Sequence, residues 1–519
     1  MKSNKKNLIE YAENLSEIYS NNYDIKDRKP KGQFFTSKQV SKYMVSLFKI
    51  NQNKVSLLDP GAGTGVLTAA FCERLLNSNK IVNLTIDLYE NDLNLLPFLK
   101  KTLDLCKFKL EKIGCLVKYN IHQQDFVLNN GKGFRKSNLF SDKKNNLYDF
   151  IISNPPYFKI SRDSLHSIAM EKLIFGQPNI YALFMAVAAN MLKPKGEMVF
   201  ITPRSFCSGL YYKKFREWLL NNVQITNIHI FESRKDVFDK DKVLQENIII
   251  KAKNGIIKSI NKQLIISVTK DKSFNNLKCF KVQENNIFYH RNGDTYIRVP
   301  TSLHEVNILE TIDTWPNTLK DLGLAISTGP VVPFRAKEYL IQDIPKPNYS
   351  APLLWMHNVK CMNLLWPLAK NKKSPALCIC DKTKHILLPV ENYVLIKRFA
   401  SKEQKRRLCS AVLLENNFPY KIIGIENHLN YIYKINDNLS TYEAFGIAIL
   451  LNTTIADVFF RSLNGSTQVN ATDIRNLPFP KHKDIIHMGK LFLSYGSNND
   501  QLKINSIVSE VLGISKKNK

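Results

Sequence analysis

Three acidic residues each follow a short apolar run in the first part of the chain: Asp59 after Val55-Ser56-Leu57-Leu58, Glu90 after Leu84–Tyr89, and Asp125 after Leu116–Gln124. Between the first run and a helix-like stretch lies Asp59-Pro60-Gly61-Ala62-Gly63-Thr64-Gly65. Glycines there let the backbone turn tightly and come close to a ligand. Carboxylates at strand tips bind ribose hydroxyls or accept from an exocyclic amine. Asn91 and Phe126, next to two of the acids, add an amide and a ring that can stack on a purine. Such a set repels a pyrophosphate. No Lys-Ser or Lys-Thr follows the glycines, which speaks against a P-loop and nucleotide hydrolysis. S-adenosylmethionine, cationic at sulfur, suits the set better than NAD does. Taken singly, each acid also reads as a solvated strand end.

A second constellation is Ser153-Asn154-Pro155-Pro156-Tyr157-Phe158, directly after Tyr148-Asp149-Phe150-Ile151-Ile152. Two prolines end any regular element. An amide and an aromatic ring are thereby left at the carboxyl end of an apolar strand.

Elements that position these groups follow from periodicity. Strands are expected at Val55–Asp59, Leu84–Glu90, Leu116–Gln123, Tyr148–Ser153, Gly196–Thr202, Asn227–Phe231 and Glu246–Lys251. Helices are expected at Gly65–Asn77, Leu93–Cys106, Tyr181–Leu192 and Leu210–Asn222. This alternation predicts an α/β fold, a doubly wound, Rossmann-like parallel sheet with helices on both faces. The expected organisation is an N-terminal extension (1–30), a catalytic domain (31–251), a linker (252–300) and a mixed α+β domain (301–519).

The 519 residues are 44% hydrophobic and 10% aromatic, as in an ordinary globular protein, with enough chain for two or three cores. Lys and Arg number 74 against 45 acids, a formal charge of +29. That excess points to a polyanionic partner, and no basic amphipathic helix or lipidation signal directs it to a membrane. The polar N-terminus lacks a signal-peptide pattern, so the expected location is cytoplasmic. The nine cysteines are scattered, and no metal site is expected, because Cys378 and Cys380 with His385 lack a completing pair.

The ordered set Gly32-Gln33-Phe34-Phe35-Thr36, Asp59–Gly65, Glu90, Asp125-Phe126 and Asn154-Pro155-Pro156-Tyr157 resembles the gamma class of DNA adenine-N6 methyltransferases, of TaqI-like architecture. Ser327–Arg335 and Gly465–Arg475 look like the recognition half of PstI/BsuBI-type type II modification methylases. The resemblance implies a class I S-adenosylmethionine-dependent methyltransferase sheet followed by a C-terminal target-recognition domain. It implies double-stranded DNA as partner and a separately encoded restriction endonuclease, and the expected state is a monomer. Cofactor contacts would come from Thr36, Asp59, Gly61, Gly63, Glu90, Asn91, Asp125, Phe126, Asn154 and Pro156.

Catalysis would rest on Asn154, Pro155, Pro156 and Tyr157. Adenine N6 is a weak nucleophile because its lone pair is delocalised into the ring. The Asn154 side-chain oxygen and the Pro155 carbonyl would accept its two hydrogens and localise that pair, a stabilisation by fixed dipoles. Tyr157 would stack on a flipped base, and Phe238 is the candidate second wall, with a core role as its alternative. Lys240 and Lys242 nearby read as phosphate contacts or as solvated lysines. Arg204 either touches DNA or braces the sheet. Gln468, Asn470 and Thr472 either read DNA or shape their loop, and Lys402–Arg407 is either a phosphate contact or a solvated helix face. The same Asn-Pro-Pro-Tyr segment would also serve methylation of cytosine N4, RNA adenine or protein glutamine, and an orphan regulatory methylase would share it.

Overall fold

The computed structural model describes residues 7–23, 25–28, 30–134, 147–233, 246–255, 262–291, 293–368, 373–400, 404–465, 468–496 and 500–514. The chain forms two compact units, Met1–Thr301 and Ser302–Lys519.

The first unit is built on a nine-stranded sheet. In chain order its strands are β1 (Lys54–Pro60), β2 (Asn83–Tyr89), β3 (Leu116–His122), β4 (Tyr148–Ser153), β5 (Leu192–Pro203), β6 (Val223–Phe231), β7 (Asn247–Asn254), β8 (Gln263–Thr269) and β9 (Lys278–Gln283). The spatial order is β3-β2-β1-β4-β5-β7-β6-β8-β9. Neighbours from β3 to β5 are parallel, so both faces need cover and β4 reads as an apolar run, with Phe150, Ile151 and Ile152 fully buried.

The expectation of a parallel sheet fails at β7, which runs antiparallel to both β5 and β6. An antiparallel return needs no crossover helix, whereas a parallel one does. Nor is 252–300 a linker. Strand β7 runs on to Asn254, and β8 and β9 extend the sheet. Leu264, Ile266 and Val268 turn into the core while Gln263 on β8 and Lys278, Lys281 and Gln283 on β9 face water, which is why composition alone suggested a connector. The N-terminal segment is likewise integral. Helix Leu8–Asn22 buries Leu8, Ile9, Ala12, Leu15 and Tyr19 at helical spacing. It bonds the helix that follows the glycine loop through Ile9 N–H to Glu73 Oε2 (3.1 Å), and the loop itself through the Ser16 and Thr64 hydroxyls (2.5 Å).

The second unit is mixed α+β. Strands Leu324–Thr328, Leu429–Lys434, Tyr393–Lys397 and Ser410–Leu413 lie side by side in that order, all antiparallel. A five-stranded sheet carries Ser350–Leu354 at its centre, and helices Thr441–Leu451, Thr454–Leu463, His482–Ser494 and Gln501–Leu512 follow. Ser440 begins the first of these helices with a reciprocal cap, its hydroxyl receiving the Glu443 N–H and Glu443 reaching back to the Ser440 N–H.

Candidate active site

Register aligns Pro60, Tyr89 and His122 across β1, β2 and β3, so their carboxyl ends are level. Strand β4 flanks β1 on the other side, which makes the tip of β1 the switch point where an open α/β sheet binds ligands. The Gly61 and Ala62 N–H groups both donate to Tyr89 O, at 2.9 and 3.0 Å, and fold the glycine loop back over β2. Gly61 and Gly63 take left-handed φ values of 75° and 58°. A Cβ on Gly61 would stand 3.7 Å from both Phe184 and Pro156, inside the space the loop leaves open.

That space is a cavity of about 630 Å³, within the usual range for a small-molecule site. Thr36, Gly61, Gly63, Glu90, Asn91, Asp125, Phe126, Asn154 and Pro156 all line it. The Glu90 carboxylate is fixed by two backbone donors, Gly63 N–H at 2.8 Å and Asp92 N–H at 2.9 Å. Burial raises its pKa, with those bonds opposing. Asp125 caps the helix Phe126–Asn130 through Leu128 N–H (2.8 Å) and pairs with His166 Nε2 (2.8 Å). Burial alone would raise its pKa, but the His166 bond holds it below the ordinary carboxylate value.

Asp59 departs from expectation. It is fully buried and does not line the cavity, with Oδ2 accepting from the Thr68 hydroxyl at 2.7 Å. Helix Val66–Asn77 covers the end of β1, so the side chain points under the loop rather than out of the sheet. Burial pushes its carboxyl up to about 7.

Tyr157 also differs from an open stacking floor. It is 6% exposed, and its ring stacks on Phe34 with centroids 5.6 Å apart and planes 29° apart. Its one hydroxyl proton is shared between Asn154 Oδ1 (2.7 Å) and Ile201 O (2.9 Å). The Asn154 amide is oriented from its other side, Nδ2 donating to Phe34 O at 2.6 Å and to Thr36 Oγ1 at 3.1 Å. Pro155 is buried behind it. Segment 32–36 therefore touches the cavity and the Asn-Pro-Pro-Tyr turn at once.

Two contributors escaped the sequence reading. Phe184 lies on helix Ile180–Asn190, whose apolar residues surround it on all sides, so nothing marked one phenylalanine among them. Its ring meets Phe126 at 5.2 Å. Asp92 Oδ2 gathers Tyr19 Oη (3.2 Å), Lys31 Nζ (2.8 Å) and Gln33 Nε2 (2.8 Å) at the cavity wall. Burial acts to raise its pKa, and the Lys31 and Gln33 bonds bring it below the ordinary value.

Phe238, Lys240, Lys242 and Lys402 lie outside the described residues. Arg204 is buried and pairs with Glu246 at 3.1 Å, bracing the sheet. Arg407 is neither a phosphate contact nor part of a solvated helix. It is 1% exposed, with its guanidinium over the Phe460 ring and its N–H bonded to Asp457 (2.7 Å). Asn470 precedes helix Ala471–Arg475 and holds Asp473 Oδ2 through its N–H (3.0 Å) and side-chain amide (3.3 Å), a loop-shaping role. Gln468 pairs in backbone with Phe399, and Thr472 is exposed.

Residues 68–238 match the model of the Eco57I restriction-modification methylase family. The chain is 35% identical to the type II methyltransferase M.BsuBI of Bacillus subtilis over 94% of its own length and 95% of the relative's. It is 33% identical to the type II methyltransferase M.PstI of Providencia stuartii over 96% of each chain. Among solved structures, the type IIG restriction endonuclease BpuSI superposes with a TM-score of 0.43 at 14% identity, over 97% of this chain and 67% of that one. With two relatives above 30% identity along nearly the whole of both chains, the protein belongs to the type II restriction–modification methyltransferase family.

Proposed function

We propose that the chain is a site-specific DNA methyltransferase. It moves a methyl group from S-adenosylmethionine to N6 of an adenine flipped out of double-stranded DNA, as the modification enzyme of a type II restriction–modification system. In this reading the unit Met1–Thr301 carries the chemistry and Ser302–Lys519 reads the target. The enzyme works in the cytoplasm, beside a separately encoded endonuclease.

The observation that carries the reading is the fixed amide of Asn154. With Nδ2 committed to Phe34 O and Thr36 Oγ1, Oδ1 is left as the acceptor, and the Tyr157 hydroxyl takes one of its two lone pairs. The second lone pair, with the carbonyl of Pro155, forms the acceptor pair that an exocyclic amine needs. Proline there keeps its carbonyl aimed and offers no competing N–H. Preorganised acceptors of this kind act on the reacting nitrogen without removing a proton beforehand.

The cavity fits S-adenosylmethionine by the chemistry of its donors. Glu90, Asp92 and Asp125 offer acceptors and negative charge to a cationic ligand with hydroxyl and amino groups, and Phe126 with Phe184 offers rings to its purine. The cofactor supplies an electrophilic methyl group on a cationic sulfur. Glu90, held by two backbone donors, suits the ribose hydroxyls.

A base can stack on Tyr157 only after Phe34 leaves it. Extruding the base costs roughly a few kcal/mol. Losing the Phe34–Tyr157 ring pair costs about 0.5–1.5 kcal/mol more. New stacking on Tyr157 returns about 1–3 kcal/mol, enough to offset the exchange of rings but not all of the flipping. Contacts to the rest of the duplex must supply the remainder, and the +29 charge suits that task.

The test is incubation of the purified chain with radiolabelled S-adenosylmethionine and unmethylated plasmid DNA, followed by nucleoside mass analysis. N6-methyladenine is expected. Label in N4-methylcytosine, in RNA or in protein would overturn the reading.

A further inference from the structure

The two sequence stretches Ser327–Arg335 and Gln468–Arg475 stand far apart in the chain, yet the fold brings them to one end of the four-stranded sheet. Strand Leu324–Thr328 ends where Leu429–Lys434 begins, with Thr328 opposite Asn430, and Tyr393–Lys397 ends there too, with Lys397 opposite Leu429. Three loops leave from that end. Val331 pairs with Glu426 and accepts the Asn427 N–H at 2.8 Å, joining the first loop to the second. The Phe399 ring meets His428 edge-on at 4.8 Å, joining the second to the third. Gln468 pairs with Phe399, and Val469 N–H donates to Arg398 O at 2.7 Å, which adds the last stretch.

Phe334 stands on the first loop with 90% of its surface exposed. One exposed apolar side chain is ordinary on a protein surface. What sets Phe334 apart is the rigidity of its mount. Val331 and Ala336, on either side, are buried in a cluster with Leu353, Trp355 and Leu377. The Val332 carbonyl accepts from both Arg335 and Ala336 N–H, at 2.9 and 3.1 Å, closing a turn with Phe334 at its outer side. At the root of the loop a Cβ on Gly329 would strike Glu426 O at 2.3 Å, so the chain is pressed onto its neighbour. Arg335 is exposed directly beside Phe334, and His428, paired with the buried Glu426, is exposed on the adjoining loop.

We propose that Phe334 enters duplex DNA as an apolar wedge between base steps, with Arg335 on the neighbouring phosphates. The proposal rests on DNA being the substrate. An aromatic ring on a pinned turn with a guanidinium beside it is the chemistry of partial intercalation, in which an apolar side chain unstacks a step while basic groups hold the backbone. The formal charge of +29 favours a polyanion over a protein of ordinary composition as the partner of this ring and its neighbouring guanidinium. Insertion there also supplies some of the contact that base extrusion at the other unit requires.

The experiment uses the full chain, unmethylated plasmid DNA and radiolabelled S-adenosylmethionine. Phe334→Ala is expected to keep cofactor affinity by calorimetry and the wild-type melting temperature, while KM for DNA rises tenfold or more. Phe334→Trp should retain most of the activity, and its added indole emission, measured as the difference from wild type, should be quenched on DNA binding. Wild-type kinetics in Phe334→Ala, with the wild type labelling DNA, overturn the wedge alone. An indole unmoved by bound DNA overturns it as well. Loss of self-association in Phe334→Ala with unchanged DNA kinetics would reassign the ring to a contact between copies. A wild-type chain that labels no DNA removes the substrate reading and the wedge with it.

Discussion

Gly32 lies against the backbone of Tyr157: the Tyr157 N–H donates to Gly32 O at 3.2 Å, and a Cβ on Gly32 would fall 2.4 Å from the Tyr157 nitrogen. Gly32 also takes φ = 65°, a conformation other residues adopt at a penalty. This contact sets segment 32–36 onto the Asn-Pro-Pro-Tyr turn. Gly32→Ala therefore pushes the segment off both the cavity and the turn. The expected outcome is a stability loss of about 1–3 kcal/mol by urea titration, with turnover down more than tenfold. A variant with wild-type turnover would show that the contact positions nothing.

Asn154 and Tyr157 separate acceptor from orientation. Asn154→Ala removes the side-chain acceptor and should lower kcat by about 10²–10³-fold, the usual effect of deleting one preorganised polar group. Tyr157→Phe keeps the ring and loses the bonds to Asn154 Oδ1 and Ile201 O. It should lower kcat less, with KM for DNA little changed. Steady-state kinetics on plasmid DNA decide the order. Equal losses in the two variants would mean that the hydroxyl does more than hold the amide.

Phe184 faces the cavity and meets Phe126 at 5.2 Å. Phe184→Ala should weaken S-adenosylmethionine binding by about 1–3 kcal/mol, the range for a stacked base. Calorimetry reads this directly. Unaltered affinity would move the purine elsewhere in the cavity.

Asp59 predicts a pH dependence. Burial pushes its carboxyl from 3.8 to about 7, so the folded chain holds a proton that the unfolded chain releases between those values. Stability from this group is full below the unfolded value and is lost as pH rises through about 7. Asp59→Asn stays neutral and should flatten that decline. Urea midpoints at pH 5 and pH 8 for both proteins give the comparison, and parallel slopes would count against the buried proton.

The strands that carry the site were legible because parallel strands buried on both faces leave apolar runs ending in polar tips. Asp59, Glu90 and Asp125 nevertheless look alike in the sequence, and only side-chain direction separates them. That direction depends on where helix Val66–Asn77 lies over β1, a tertiary fact. Strand β9 was hidden by the exposed Lys278, Lys281 and Gln283, and β8 by an apolar Ile265 facing outward and a buried Ser267, which blur the alternation of Leu264, Ile266 and Val268. Asn154 could be singled out from its neighbours, but its orientation by Phe34 O and Thr36 Oγ1 spans more than a hundred positions and left no local trace.

The anchoring of helix Leu8–Asn22 bears on how the chain is made. Its partners lie far downstream: Thr64 is 48 positions from Ser16, Glu73 is 64 from Ile9, and Asp92 is 73 from Tyr19. The helix leaves the ribosome before any of them, with the apolar face that will meet them uncovered. Closing loops of that length must precede any gain from the contacts, so this helix docks late although it is synthesised early. Pulse-labelling by hydrogen exchange during refolding should find its amides protected after those of β1 and β2, and a newborn chain stalled before Asp92 is left with a sticky end.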